Sequence, residues 1–567
     1  MTIRKDIADT IFPEVTETIQ DLEKKYPPRA NLTRLPDGQV CSRYAPSPTG
    51  FVHIWNIYAA FVEQKFAKQN KGTFFLRIED TDQKREVEGG INKIISWLRY
   101  FGIQIDEWPI GEKNKDIGNY WPYTQSQRKN TYNIFAKYLI EQWLAYPCWM
   151  TEEELIAIRE QQTKAKVTPG IYGRYSLRRD KSPEEIMAQI QVNKEFVIRF
   201  RSPGDASKRM VFEDVIKGKI ETTDNFNDIV LIKSDQLPTY HLAHIADDHL
   251  MRVSHVIRGE EWLASVPLHI QLFNAFGIQH PNYCHVAPLL KLDNGNKRKL
   301  SKRHDPEADI WFFFENGYAT QGIIEYLLTI IDPNFEERQK ANLDKNYLDF
   351  EIRLEKMPKS WALFDLVKLQ SVNNNYLSRI STDELYEQSL ARAEKYRPEL
   401  AKLMKSDVAY VKATLNIERH TAKDPKRFTT YTDVETQLRF FFDDERIKLR
   451  DKELGTRNEE PSSSPKSQVP SPKSLPPDVL KKFVEEYISV LDLDMKVEER
   501  FAQLKEIWKK YGFASNNAEF KEGGYIGKIG DLAMFLRINL CCSNQTPDLY
   551  SVMQVMGKER IIKRLIT

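Results

Sequence analysis

Residues 41–82 alternate short apolar runs with chain-breaking residues in an order that predicts strand, loop, helix and strand. Cys41-Ser42-Arg43-Tyr44 reads as a strand. It must end in a loop, because the two prolines of Pro46-Ser47-Pro48-Thr49-Gly50 fix φ and donate no backbone hydrogen bond. His53 then stands at the start of a helix. There Val52, Ala59, Ala60, Val62 and Phe66 recur at helical spacing toward a core, leaving Lys65, Lys68 and Gln69 for water. The apolar run before Arg77 is the second strand. This pattern is half of a nucleotide-binding α/β sheet, a fold whose helix N-termini receive anionic phosphate.

The pattern continues with an amphipathic helix over 91–101 and another opened by Tyr123-Thr124-Gln125-Ser126-Gln127-Arg128. Residues 146–238 interrupt it with the strands Phe196-Val197-Ile198-Arg199-Phe200 and Asp228-Ile229-Val230-Leu231-Ile232 and with turn pieces such as Ser202-Pro203-Gly204. From Pro306 onward the spacing is helical, including 323–331 and 362–369, and 386–567 is nearly all helical. A Ser/Pro/Lys-rich stretch at 459–477 reads as a linker or surface loop. In residues 1–40, Ile7, Ile11, Ile19 and Leu22 predict one helix packed on the body, with no functional role.

A chain of 567 residues exceeds one core, so two to four domains are expected. Its 83 basic and 81 acidic residues leave a net charge of +2, so any RNA contact must come from local patches. The basic run at 419–427 is one candidate, although such a run is as readily a solvated face. No apolar run approaches the roughly 18 residues of a membrane span, and the N-terminus lacks the apolar core of a signal peptide. A cytoplasmic protein without a membrane partner is expected. Cys41, Cys148, Cys284, Cys541 and Cys542 form neither a disulfide framework nor a CxxC pair, so no zinc is expected. His241, His244, His249 and His255 lie near carboxylates but lack HExxH spacing, a weak case for a metal site.

Three motifs change the picture. Arg43-Tyr44-Ala45-Pro46-Ser47-Pro48-Thr49-Gly50, followed by His53-Ile54 and Arg77-Ile78-Glu79-Asp80-Thr81-Asp82, resembles the active-site opening of glutamyl-tRNA synthetases, a class I family. Lys299-Leu300-Ser301-Lys302-Arg303 resembles that class's lysine signature. The resemblance covers the chain from about residue 41 to the end and weakens beyond 386. It implies a Rossmann-type catalytic domain (41–145 and 239–290), an α+β connective insertion that grips the acceptor end of tRNA (146–238) and a stem-contact region with the lysine loop (291–385). An all-α anticodon-binding region of the bacterial type (386–567) would follow, behind an N-terminal extension (1–40).

By the same resemblance, the carboxylate of L-glutamate attacks the α-phosphate of ATP, and the glutamyl group passes to the 3′ end of tRNA(Glu). Both reactants are anions, so catalysis consists mainly of positioning and charge cancellation. His53 and Lys302 would be catalytic. Arg43, Ala45, Ser47, Glu79, Tyr240, His244 and Arg258 would hold glutamate, with arginine suited to bidentate carboxylate binding. His53, Trp55, Glu261, Trp262, Leu290, Lys299, Ser301, Lys302 and Arg303 would hold ATP, which Mg²⁺ accompanies. A monomer whose activation step waits for tRNA is expected. Ser47, where glutaminyl relatives carry Glu, and the helical C-terminal part favour the glutamyl type.

The sequence departs from the family at Trp55, which follows His53-Ile54 where the family has glycine. Adenine lies against the backbone there, and an indole would fill its space. Trp108, Trp121, Trp143 and Trp361 also replace family glycines, and glycine itself is scarce at 24 of 567 residues, about 4% against a typical 7%. One account is a source that reads UGA as glycine, so that the natural enzyme carries glycine at all five positions. The alternative is a catalytically impaired tRNA-binding paralogue with a blocked ATP site. His244, where many relatives have Asn, is a milder departure.

Overall fold

The computed structural model describes residues 2–29, 39–48, 52–82, 87–110, 116–301, 303–342, 349–419, 427–442, 476–543 and 546–566. Lys302, most of the basic run and almost all of the expected linker lie outside the described residues. The chain divides into two compact units, residues 1–312 with 324–365, and residues 313–323 with 366–567.

The first unit opens with two helices, α1 (Thr2–Ile11) and α2 (Ile19–Lys25), instead of the single expected one. Pro13 cannot continue α1, and Thr18 with Asp21 forms a capping box that restarts the chain as α2. Their apolar faces, from Ile7 to Tyr26, join the main core of the unit.

β1 (Cys41–Tyr44), α3 (Ile54–Gln69) and β2 (Thr73–Leu76) form the expected crossover, with β1 and β2 parallel and Arg43 opposite Phe75. Lys65, expected in water, is only 7% exposed, because α3 is covered on more than one face; Asp349 and Glu351 act on its charge. After α4 (Gly90–Tyr100) and α5 (Lys129–Glu141), the interrupting segment contains β3 (Ala145–Cys148), α6 (Glu152–Lys164), α7 (Pro183–Val192), β4 (Val197–Phe200), β5 (Arg209–Asp214), β6 (Gly218–Thr223) and β7 (Val230–Ile232). β3, β4 and β7 make an antiparallel sheet of their own.

The chain then forms α8 (Tyr240–Leu250), β8 (His255–Gly259), α9 (Val266–Ala275) and β9 (Asn282–Val286). The β5–β6 hairpin does not stay with the interrupting segment. It adds to these later strands in the order β6-β5-β9-β8, with Asp214 beside Tyr283.

β10 (Leu289–Asp293) and β11 (Asn296–Lys299) form a hairpin, followed by α10 (Ile310–Glu315), α11 (Thr320–Ile331) and α12 (Phe335–Ala341). Ala362 and Leu363, expected to be helical, form β12 (Ala362–Leu363) beside β10. There the Phe364 N–H donates to the Leu290 carbonyl at 2.7 Å. So short an apolar run carries no period that separates strand from helix. α13 (Leu366–Arg379), placed by the sequence reading with the stem-contact region, belongs to the second unit. Helices from Thr382–Tyr396 to Lys558–Ile566 fill that unit around their own apolar core.

Candidate functional site

Site residues gather where β1, β2, β8 and α8 meet. Arg43, 3% exposed, points its Nε at both oxygens of Asp248 (3.3 Å each). Its Nη1 lies 3.5 Å from the Ile257 carbonyl and 3.9 Å from Glu63. Arg77, fully buried, donates to Asp248 and to Glu79 at 3.2 Å, and Arg128 donates to Asp247 at 2.7 Å. Burial pushes the Glu63 carboxyl well above its usual range, against the pull of Arg43 and Arg77. Three arginines therefore face the carboxyl groups of Asp247, Asp248 and Glu79, and Arg43 and Arg77 hold that of Asp248 well below its usual range although burial opposes it.

Arg258 adds a fourth cation, 7% exposed, and its partners are all neutral. It donates from Nε to His285 at 3.0 Å, from Nη1 to the Tyr240 hydroxyl at 3.0 Å and from Nη2 to the Trp262 carbonyl at 3.3 Å. A second Nη2 contact, at 3.4 Å, is to His269 Nδ1. The guanidinium also lies 4.9 Å from the centre of the Tyr283 ring. A buried cation with no carboxylate partner among the described residues is costly unless an anion joins it. Tyr240 stacks 4.1 Å from Trp262 and 5.6 Å from His244, closing one side. Burial holds His244 neutral, with its pKa lowered to about 3 despite Asp248 at 2.8 Å. The structure thus brings together Arg43, Glu79, Tyr240, His244, Arg258 and Trp262. Ala45 and Ser47 lie on the loop after β1, Ser47 exposed.

His53 caps α3. Its Nδ1 accepts the Trp55 backbone N–H at 2.9 Å, which places the ring proton on Nε2. Trp55 is half-buried, with its ring 5.3 Å from Tyr58. Glu261 and Lys299 line one side-chain cavity of ≈ 660 Å³ together with Glu260, Leu263, Phe212 and Pro288. Leu290 pairs with Lys299 across the β10–β11 hairpin, and Ser301 and Arg303 follow it.

Sequence reasoning passed over Asp248, Arg77, Asp247, His285 and Asp305 as site-forming residues. A usable signal existed for the first three: charged residues inside segments otherwise patterned for burial, which need partners. Among the described residues, no three of His, Cys, Asp and Glu gather as a metal-holding group.

Residues 39–371 match the family model described as tRNA synthetases class I (E and Q), catalytic domain, and residues 390–566 match the anticodon binding domain. The chain is 42% identical to a glutamate–tRNA ligase of Clostridium perfringens over 99% of this chain and 100% of that one. It is 41% identical to the glutamate–tRNA ligase of Clostridium beijerinckii over 98% of each. A crystal structure of a glutamate tRNA ligase from Elizabethkingia meningosepticum, in complex with its amino acid, superposes with a TM-score of 0.70 at 28% identity, covering 93% of this chain and 98% of that one.

Proposed function

The chain belongs to the glutamate–tRNA ligases of class I, and we propose that it activates L-glutamate with ATP and transfers the glutamyl group to the 3′ end of tRNA(Glu). The observation that carries the substrate assignment is the buried Arg258, which has no carboxylate partner among the described residues. Glutamate brings a carboxylate at each end to this pocket, whereas glutamine brings only its α-carboxylate and leaves the arginines facing an uncharged amide at a cost of several kcal/mol. Arg43 would meet the side-chain carboxylate, Arg258 and Tyr240 would share the substrate's two ends, and Glu79 would anchor the α-amino group. Ala45, Ser47 and His244 would complete that pocket.

ATP would lie between the start of α3 and the cavity beside Lys299. His53 Nε2–H would donate to phosphate there, with Lys299, Ser301, Lys302 and Arg303 supplying donors and positive charge. Trp55, Glu261, Trp262 and Leu290 would surround the adenosine. These donors suit a polyphosphate, and Mg²⁺, which screens phosphate charge, would arrive bound to ATP. The attacking carboxylate is already a nucleophile, so these residues position and neutralise without a general base.

Residues 146–238 would grip the acceptor end and 291–385 the stem; the model match over 390–566 supports an anticodon-binding role for the helical unit. A monomeric, cytoplasmic enzyme without zinc is the accompanying proposal. The full-length relatives bearing the ligase name favour an active enzyme over a blocked paralogue. The five tryptophans at family glycine positions fit recoded glycines: none is in the buried core, and Trp143 adopts a left-handed φ of 60°. The test is tRNA-dependent ATP–pyrophosphate exchange with glutamate and with glutamine. Exchange with glutamine in preference to glutamate overturns the assignment.

A further inference from the structure

The neighbours of Arg258 include a buried pair that no step of this chemistry uses. His285, fully buried on β9, lies directly opposite Arg258 of β8 in the parallel register. Asp214, 2% exposed, ends β5 and reaches His285 from the other side. The Asp214 carboxylate is itself fixed by the backbone N–H groups of Ile216 (3.0 Å), Lys217 (2.9 Å) and His285 (3.0 Å). His285 Nδ1–H donates to Asp214 Oδ2 at 2.7 Å. Because a guanidinium can only donate, the Arg258 Nε–H contact at 3.0 Å requires a bare His285 Nε2, and the two hydrogen bonds demand one tautomer.

We infer that Asp214 and His285 are positioning residues of the amino-acid pocket: Asp214 sets the His285 tautomer, and His285 fixes the direction in which Arg258 faces the substrate carboxylate. Arg258 then has four of its five N–H groups held by His285, Tyr240, Trp262 and His269. Among the described residues, one N–H on Nη1, beside the Tyr240 hydroxyl, keeps no partner. A neutral relay suits this task better than a carboxylate placed directly on Arg258, because a direct ion pair would neutralise the cation that the substrate needs. Burial lowers the His285 pKa and keeps the ring neutral; the hydrogen bonds from His285 and the backbone hold Asp214 ionised although burial opposes it. Asp214 comes from the β5–β6 hairpin, so a segment between the two halves of the catalytic pattern reaches the amino-acid pocket.

This inference rests on the reading of Arg258 as a glutamate ligand. The test is glutamate affinity of the full chain by titration calorimetry, which does not depend on the ATP site, together with melting temperature. His285→Asn keeps a donor for Asp214 but is too short to accept from Arg258, and His285→Gln restores an acceptor near Nε2. The expected result is about tenfold to hundredfold weaker glutamate binding for His285→Asn and recovery of most of it in His285→Gln. Equal affinity for wild type and His285→Asn overturns the inference, as does an equal loss in both variants that follows their melting temperatures. Should His285→Asn fail to fold, Asp214→Asn, which turns the His285 acceptor away from Arg258, carries the same expectation. Arg258→Lys separates the two readings. If it leaves glutamate affinity unchanged, the pocket assignment itself falls. If it weakens binding and His285→Asn does not, only the positioning role falls.

Discussion

Arg298 donates two hydrogen bonds to the carboxylate of Asp305, Nη1 to Oδ2 at 2.5 Å and Nη2 to Oδ1 at 2.7 Å, and so ties the β10–β11 hairpin to the chain that follows the lysine signature. Asp305 is 1% exposed and also accepts the Ser301 backbone N–H at 2.9 Å. The Arg298 contacts hold its carboxyl well below the usual range, so this tie persists at every pH at which the enzyme works.

Asp305→Asn removes the charge from that tie. Pyrophosphate exchange should fall by about tenfold at unchanged glutamate affinity, since loss of one charge-assisted hydrogen bond amounts to about 1.5–3 kcal/mol. Exchange kinetics beside calorimetric glutamate binding check this. Unchanged exchange would show that the loop needs no such anchor.

Trp55→Gly should raise tRNA-dependent exchange by at least about tenfold and lower the KM for ATP, because the indole leaves the adenine side of the site. The His53 cap survives, since Trp55 contributes only its backbone N–H to it. If glycine and tryptophan forms exchange equally, the ring does not occlude ATP.

Trp143 follows α5 at φ 60°, and its successor Leu144 donates to the Leu139 carbonyl at 2.7 Å, the wrap by which glycine closes a helix. Its ring meets Arg4 at 4.9 Å and Arg201 at 5.3 Å, contacts that partly offset the strain. The informative pair is Trp143→Ala and Trp143→Gly, which remove the same ring. Glycine should be the more stable by about 1 kcal/mol, from relief of the left-handed backbone. Urea unfolding measures the difference, and alanine at least as stable as glycine refutes it.

Burial lowers the pKa of His244 to about 3 and those of His241 and His255 to about 4, from ordinary values near 6.5. Between pH 6.5 and about 4 the unfolded chain binds protons that the folded chain refuses. Stability therefore falls as pH drops through that window, by up to about 1.4 kcal/mol per unit for each such histidine, and the loss levels off below the folded-state values. Melting temperatures at pH 7, 6 and 5 should show the fall. His244→Asn should flatten it, and a slope identical to wild type would exclude His244 as a contributor.

Arg29 makes a bidentate ion pair with Glu107, 2.8 Å on each arm, with both side chains nearly buried. Arg29→Ala strands that carboxylate beside Tyr123 and should cost about 3 kcal/mol in urea unfolding without altering glutamate affinity. A loss of affinity at unchanged stability would give the N-terminal segment a functional role instead.

The sequence by itself determined the family and the elements of the catalytic opening. The prolines after Tyr44, the helical spacing after His53 and the lysine signature are local patterns, and local patterns survive without tertiary information. They were enough to expect the β1-α3-β2 crossover and a helical C-terminal part. The tertiary structure decided which charges face which. Lys65 is buried because neighbours cover a second face of α3, and the N-terminal segment bends at Pro13 to fill the core of the first unit. The β5–β6 hairpin joins β9 because strand pairing is non-local. Only that pairing brings Asp214 to His285 and His285 to Arg258, across 71 and 27 residues of sequence, and no periodicity records it. The pocket's unbalanced charge arises from this packing, since a charged residue's cost depends on partners that sequence neighbours do not supply.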